Sequence, residues 1–238
     1  MLLLAIDTST TAITVGLHDG SSVVAEETTL DARAHAEHLA PGIQAALASV
    51  GAATEDVTDV VVGIGPGPFT GLRVGIVTGR TFAFALGLPV RGITSLDALA
   101  HQAWAGGHRG DLLVATDARR KEVYAAAYAL GDRGAVRTTE PVVARAEDLP
   151  PELRALPCAG RGPSLYAEAL PHGTGPLDVS GGALADLAVR RLTQAGAEAA
   201  PNGLQWVDRG HGFDGLEPLY LRRPDAAPAP PSKKSTLG

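Results

Sequence analysis

The pattern of apolar and polar positions predicts that the chain begins with a sheet and continues into helices. The apolar run LLLAIDTST predicts a buried strand, and TAITVGLHDGSSVVAEETT predicts two strands joined at an Asp-Gly turn. The following segment places Leu39, Ile43 and Leu47 on one face of a helix that stops at Gly51. Pro41 should then lie in the first turn of that helix or kink it.

Two more buried strands, DVVVGIG and LPVRGIT, follow with a long glycine-containing segment between them. Ser95 is placed to cap a helix that continues through LDALAHQAWA. The order of elements is therefore three strands, helix, strand, helix, strand and helix. This order predicts a mixed sheet covered by helices.

The pattern starts again after the glycine-rich segment WAGGHRGD. DLLVATDA and KEVYAAAYAL predict two strands around a tight turn, AVRTTEPVVA predicts a third, and PSLYAEAL and ALADLAVRRLTQAG predict helical pieces. We predict an N-terminal lobe over residues 1–105, carrying the partner-binding helices described below, and a smaller C-terminal α/β lobe over 106–223. Residues 224–238 are rich in Pro, Ala, Ser and Lys, which predicts a disordered tail.

Composition excludes several classes of protein. The net charge of −6 over 238 residues argues against nucleic-acid binding through bulk charge. A single cysteine, Cys158, excludes an intramolecular disulfide and a multi-cysteine metal site. No apolar run approaches the roughly 20 residues of a membrane span, and the short apolar start lacks the basic residues of a signal peptide. We therefore expect a cytoplasmic protein with no membrane contact.

The stretch GIGPGPFTGLRVGIVTGRTFAFALG begins like a phosphate-binding loop. It lacks the Gly-Lys-Ser/Thr ending that supplies a lysine to phosphates, and Pro66 and Pro68 remove two backbone N–H donors. The pattern is a poor match to a nucleotide loop.

Farther along this stretch, Gly71, Gly75 and Gly79 recur every four residues and leave one helix face almost without side chains. Each interior glycine costs ~1 kcal/mol relative to alanine. Close approach of another backbone would compensate, with Leu72 and Ile76 flanking the contact. Two interpretations remain open: the face packs on the domain's own sheet, or it meets a second subunit.

Three other groups of polar residues are candidates for chemistry. Asp7, Thr8 and Ser9 follow the first strand, where they could hold phosphate or form a polar turn. His35 and His38 lie one helical turn apart but lack a third metal ligand, so a surface helix start is favoured. Asp117 and Arg119 could pair at a strand end, within a charged hairpin. No G-x-S-x-G elbow supplies a serine nucleophile.

Four ordered motifs, AIDTST, GPGPFTGLRVG, DARRKEVYAA and PLYLR, together resemble the TsaB (YeaZ) family over residues 2–223. The second motif departs from the family pattern at Pro68, where serine is usual. The resemblance implies an α/β fold of the ASKHA class (actin-like ATPase, ribonuclease H-like), with two lobes, each a mixed sheet flanked by helices. It also implies a non-catalytic partner of the TsaD proteins.

In the implied complex, TsaD acts with the ATPase TsaE to transfer a threonylcarbamoyl group to the adenosine beside the anticodon of certain tRNAs. The chain would bind and activate TsaD, could also form a homodimer, and would meet tRNA only through the complex. The TsaD relatives carry a His-x-x-x-His metal pair, and Ser95 and Leu99 stand at those positions here. Asp97 alone is not a site, and His101 lacks a partner at four-residue spacing. No metal, cofactor or catalytic residue is therefore expected.

The resemblance implies a pairing surface on the helix after the hairpin and on the glycine helix. The predicted partner-interface residues are His35, His38, Leu39, Ile43, Leu47, Phe69, Gly71, Leu72, Gly75, Ile76 and Gly79. A vestigial nucleotide site would use Asp7, Thr8, Ser9, Asp117 and Arg119. The alternative function is a small ASKHA ATPase or phosphotransferase that uses the Asp7-Thr8-Ser9 turn.

Overall fold

The computed structural model describes residues 1–31, 35–194 and 212–222, and for His35 and Ala36 it describes the backbone alone. Five strands form the first sheet, in the order β3-β2-β1-β4-β5. Their bounds are β1 Leu3–Asp7, β2 Ala12–His18, β3 Val23–Leu30, β4 Asp59–Gly63 and β5 Val90–Ile93. Strands β1, β2 and β3 pair antiparallel, whereas β1, β4 and β5 pair parallel, so the sheet is mixed as predicted.

Helices cover both faces of this sheet, and its inner strands are therefore buried on both sides. Leu4, Ile6 and Val62 point toward α1 and α2, whereas Leu3 and Ala5 point to the opposite face. That opposite face is covered by α3 and α6. The helix bounds are α1 His35–Ser49, α2 Phe69–Leu86, α3 Ser95–Ala105 and α6 Gly181–Gln194.

A second sheet follows in the order β10-β6-β7-β8, and β9 pairs with the first half of β7. The bounds are β6 Gly110–Asp117, β7 Glu122–Gly131, β8 Gly134–Arg137, β9 Val142–Arg145 and β10 Cys158–Ala159. Two one-turn helices, α4 Pro151–Arg154 and α5 Gly162–Leu165, lie beside it. The predicted fold class, two mixed sheets flanked by helices, is confirmed.

Helix α6 follows the second sheet in the chain but packs on the first. Its start approaches β2 so closely that a Cβ at Gly16 would overlap the backbone of Gly181. The Gly181 N–H also donates to Thr14 Oγ1 at 2.8 Å. The two sheets therefore share one apolar core, and the predicted lobe boundary at residue 105 remains a prediction.

The structure refines three local predictions. The predicted strand AVRTTEPVVA is two strands, because Pro141 lacks an N–H and Thr139 Oγ1, not a strand carbonyl, accepts the Ala127 N–H. PSLYAEAL forms only the single turn of α5. Pro41 lies inside α1, which excludes the first turn and leaves a kink as the remaining prediction.

The predicted tail 224–238 lies outside the described residues. None of the helices in the described ranges combines the length and apolar character of a membrane span.

Candidate functional site

The polar turn at the end of β1 is a buried structural joint. Asp7 Oδ1 accepts the N–H and the hydroxyl of Ser9, both at 2.7 Å, and Asp7 Oδ2 accepts the Ser95 hydroxyl at 2.6 Å. Ser95 Oγ also accepts the Gly65 N–H at 3.0 Å. Ser95 is therefore not the helix cap that the sequence suggested: Thr94 is the N-cap of α3, and the Ser95 hydroxyl joins β1 to the loop after β4.

Burial determines the ionisation of this carboxyl group. Asp7 is fully buried, and burial raises its pKa above the ordinary value although the hydrogen bonds from Ser95 and Ser9 oppose the shift. A carboxylate that is to bind a metal or a water nucleophile needs an open face. Asp7 has none, since its side chain lies directly over the Cα of Gly63.

Thr8 bridges the first strand to the glycine helix. Its hydroxyl donates to the Gly71 carbonyl at 2.7 Å and accepts the Gly75 N–H at 3.0 Å. These two backbone groups are four residues apart, so an undisturbed α-helix would pair them with each other. The threonine hydroxyl therefore takes part in the hydrogen bonding of α2 itself.

The glycine row packs on the chain's own sheet. A Cβ at Gly75 would overlap Thr8 Oγ1, and a Cβ at Gly79 would overlap Val62 Cγ1. Gly71, Gly75 and Gly79 are all buried. The first of the two open interpretations is therefore correct for this face, and the assignment of these glycines to a partner interface was wrong, because β1 and β4 already occupy the space they leave.

The predicted apolar stripe of the pairing surface also points inward. Five of its side chains are at most 5% exposed and belong to one core cluster with β1, β2 and β4. These are Leu39, Ile43, Leu47, Leu72 and Ile76. Direct contact with a partner would require their removal from the core, so their assignment as interface residues is corrected as well.

Phe69 is half-buried and contacts its own chain. Its ring stacks on Tyr220 with 5.0 Å between centroids, and the guanidinium of Arg73 lies 3.8 Å from its centroid. Arg73 Nε donates to Tyr220 Oη at 3.1 Å. The PLYLR motif therefore contacts the start of α2, a contact that sequence spacing did not reveal.

The two histidines of the predicted interface are only partly described. His38 is half-buried, and its Nε2 lies 3.7 Å from Asp31 Oδ2. The His35 side chain lies outside the described residues.

The predicted nucleotide residues are only partly brought together. Ser9, Asp117 and Arg119 line one cleft between the two sheets, while Asp7 and Thr8 are turned into the core. The cleft has a volume of about 20 Å³, and the ion pair of Arg161 with Asp178 forms part of its wall. Ligand pockets usually measure about 300–1,000 Å³, so this geometry does not hold a nucleotide.

The positions that correspond to the metal pair of the TsaD relatives have other roles. Ser95 is bound to Asp7, and Leu99 is fully buried in the apolar core. Asp97 accepts bonds from Tyr128 Oη at 2.9 Å and from Arg137 and Arg191 at 3.2 and 2.9 Å. Burial and the Asp97 carboxylate raise the pKa of Tyr128 well above its ordinary value, so the phenol stays a donor.

Two further observations concern other kinds of chemistry. Within residues 1–31, 35–194 and 212–222, no three His, Cys, Asp or Glu side chains are grouped so that they could hold a metal ion. Burial raises the pKa of the Cys158 thiol to about 12, so the thiolate that a cysteine nucleophile needs is not formed near neutral pH.

The outward faces of α1 and α2 carry the residues that sequence reasoning missed. Val77 and Phe84 are 58% and 62% exposed on α2, seven residues apart and therefore on one face. The adjacent helix α1 exposes one charged side chain near its start, Glu37, and otherwise small or uncharged ones. The latter include Ala40, Pro41, Gln44 and Ala48. Once the glycines are assigned to the inner face of α2, the helical period places Val77 and Phe84 on its outer face.

Comparison with known proteins finds several relatives whose names refer to the same tRNA modification. The family model for TsaD, tRNA N6-adenosine threonylcarbamoyltransferase, matches residues 22–169. An uncharacterized protein of Mycobacterium bovis is 44% identical over 229 residues, which cover 95% of this chain and 94% of that protein. The tRNA threonylcarbamoyladenosine biosynthesis protein TsaB of Escherichia coli is 37% identical over 134 residues, 56% of this chain and 58% of that protein.

Among solved structures, YeaZ from Pseudomonas aeruginosa superposes with a TM-score of 0.72 at 29% sequence identity. The match covers 87% of this chain and 99% of YeaZ. The similarity therefore extends over both sheets.

Replacement of Gly75 by leucine should destabilise the fold itself. The new side chain would displace Thr8 from α2, and overpacking of this kind costs about 1–3 kcal/mol. Val77→Leu on the exposed face of the same helix should change the free energy of unfolding by less than about 0.5 kcal/mol. Urea denaturation measures both. Equal stability of the two variants would contradict the inward assignment of the glycine row.

Asp7 should make the chain relatively more stable in acid. Because its pKa is raised in the folded state, the folded protein binds more protons than the unfolded chain between the two pKa values. The difference in unfolding free energy between wild type and Asp7→Asn should therefore shift in favour of wild type as the pH falls from the folded pKa toward the ordinary value. Urea denaturation across this pH range measures the difference. A constant difference would show that the hydrogen bonds cancel the effect of burial, and one that moves the other way would show that they outweigh it.

Proposed function

The chain belongs to the TsaB (YeaZ) family, and on that premise we propose that it acts in tRNA threonylcarbamoyladenosine biosynthesis as the partner and activator of TsaD. In this role it contributes a binding surface and no chemistry of its own. TsaE would join the complex as its ATPase, and the chain would meet tRNA in the cytoplasm as part of that complex. The proposal also includes a homodimer, in which two copies of the chain pair through the same surface.

The identity, burial and hydrogen bonding of the residues at the expected catalytic positions support the non-catalytic role. The matched family model is that of the transferase, yet its metal positions hold Ser95 and Leu99 here. Asp7, the carboxylate at the end of the first strand, is buried and fully hydrogen-bonded. The cleft between the sheets is too small for a nucleotide. Each of these features favours an accessory subunit over an enzyme.

One observation carries the binding role: Val77 and Phe84 are exposed on the outer face of α2, with the exposed Arg80 between them. Phe84 and Val77 expose apolar surface to water on one face of the helix. Neighbouring exposed apolar side chains of this kind are typical of binding sites. We call the outward residues of α1 and α2 the outer helix surface: Ala40, Pro41, Gln44, Ala48, Val77 and Phe84. The pairing helices are those that the family resemblance implied, but the contacting residues are different.

Charged substitutions on this surface should abolish partner binding without unfolding the chain. Val77→Asp and Phe84→Asp place a carboxylate where we propose a dry interface, so each should weaken binding to TsaD about tenfold or more. Co-purification of the two chains and titration calorimetry measure the effect, and a tRNA modification assay with TsaE measures its consequence.

A matched control separates the surface from a general effect of charge. Val142 is also an exposed valine, 44% accessible, but it lies on β9 of the second sheet. Val142→Asp should bind TsaD as wild type does. If Val77→Asp and Phe84→Asp still bind TsaD and support modification, the outer helix surface is not the interface.

The alternative function, a small ATPase or phosphotransferase, has a direct test. Isothermal titration of the purified chain with Mg²⁺ and ATP should show no binding that depends on Asp7, because the cleft lined by Ser9 and Asp117 leaves no room for the nucleotide. Tight Mg²⁺-dependent binding that is lost in Asp7→Ala would establish the alternative and refute the accessory role.

A further inference from the structure

We propose that a groove on the far side of the molecule from the outer helix surface binds phosphate groups of an RNA strand. The groove runs between the end of the β7–β8 hairpin and the last turns of α6, and we call it the arginine groove. The inference rests on the proposed function only in its choice of RNA as the source of the phosphates. The groove itself is defined by the geometry that follows.

The arginine groove is large enough for a ligand of nucleotide size. Its volume is about 940 Å³, at the upper end of the usual range for binding pockets, about 300–1,000 Å³. Ala129, Val136 and Leu187 supply apolar parts of its lining. Val136 is 66% exposed, so this lining is open to solvent.

Positive charge predominates among the lining residues. Three arginines, Arg133, Arg190 and Arg191, line the groove together with one aspartate, Asp132. Arg191 pairs with Asp97 at 2.9 Å and shares that carboxylate with Arg137. Arg133 and Arg190 form no ion pair with any carboxylate of the described residues, and that makes them available to an anionic ligand.

Arg190 is held in position by a carbonyl and an aromatic ring and forms no ion pair within the described residues, while Asp186 lies one turn earlier on α6 within electrostatic reach. Arg190 donates to the Arg133 carbonyl at 3.2 Å, and its guanidinium lies 4.5 Å from the ring centroid of Trp104. Trp104 is itself fixed by a hydrogen bond from its Nε1 to the Gly131 carbonyl at 2.7 Å. A guanidinium stacked on an aromatic ring keeps its edge free, and that edge matches the oxygens of a phosphate.

The contrast with the rest of the chain favours a specific anion site. The protein carries a net charge of −6, so phosphate is repelled by the molecule as a whole. Two arginines without an ion pair in the described part of the chain, set beside an apolar floor, make this groove locally positive. RNA fits this combination because its phosphates follow one another along the strand and its bases can lie on the apolar floor.

The test is an RNA titration of the full chain. A fluorescein-labelled RNA stem-loop is titrated with the protein at low and at physiological salt, and the fluorescence anisotropy is recorded. Binding should weaken as salt rises, and Arg133→Gln and Arg190→Gln should each weaken it several-fold at low salt. Each should also reduce the slope of log affinity against log salt by about 0.7, the value for one phosphate contact on a single strand.

Lys121→Gln is the matched control. Lys121 and Arg133 are both exposed and lie in the turns at the two ends of β7. Loss of either side chain removes one positive charge, but Lys121 is remote from the groove. Lys121→Gln should keep both the affinity and the slope of wild type. An equal loss of RNA affinity in Lys121→Gln and Arg133→Gln would show that binding depends only on the overall charge, and it would overturn the proposal.

Trp104 gives a second readout at the groove. The sequence contains two tryptophans, so Trp206→Phe leaves Trp104 as the only one. RNA should change the emission of this variant, and Arg190→Gln should diminish the change. Inorganic phosphate and ATP are separate arms of the experiment. Binding of ATP but not RNA, or no RNA binding by wild type, would refute the RNA assignment.

The outcome is independent of the TsaD interface. Arg133→Gln and Arg190→Gln should still co-purify with TsaD, because both residues are remote from α1 and α2. If wild type fails to bind TsaD, the proposed function fails, while the titration of the isolated chain still decides the arginine groove. If TsaD binds and the arginine variants bind RNA as wild type does, only the arginine groove is refuted.

Discussion

The hydroxyl group of Thr8 fixes the distance between the first strand and helix α2, and the surrounding structure depends on that distance. It contacts a carbonyl and an N–H of the helix backbone at 2.7 and 3.0 Å. Contacts this short leave no room for a Cβ at Gly75. The ~1 kcal/mol that each interior glycine costs a helix is therefore offset by backbone hydrogen bonds and by close packing on the sheet.

The four sequence motifs meet around this joint. Asp7 and Thr8 of the first motif bind Ser95 and the glycine helix of the second. Tyr220 of the last motif stacks on Phe69 at the start of that helix. Arg222 continues the same segment to the turn after β6, where it pairs with Glu122 of the third motif. Residues that are far apart in sequence thus form one continuous polar and aromatic contact between the two sheets.

The sequence was sufficient to predict most strands and helices, since buried strands read as short apolar runs and α1 as an apolar stripe. It was not sufficient to decide which side of α2 faces the sheet. A glycine row has no side chains whose hydrophobicity could indicate burial, so the row was compatible with either partner. The decisive contact, Thr8 with Gly75, joins positions 67 residues apart, and no local period records it.

The inward glycine face has a consequence for the outer one. Because the backbone of α2 lies close to the sheet, its core contacts are made by Leu72, Ile76 and the glycines, and Val77 and Phe84 are not needed for them. Val77 and Phe84 therefore lie at the surface without a role in the core. On the proposed function, the same helix uses its glycine side for folding and its apolar side for binding. The two roles are then separable, because one face can be altered while the other remains intact.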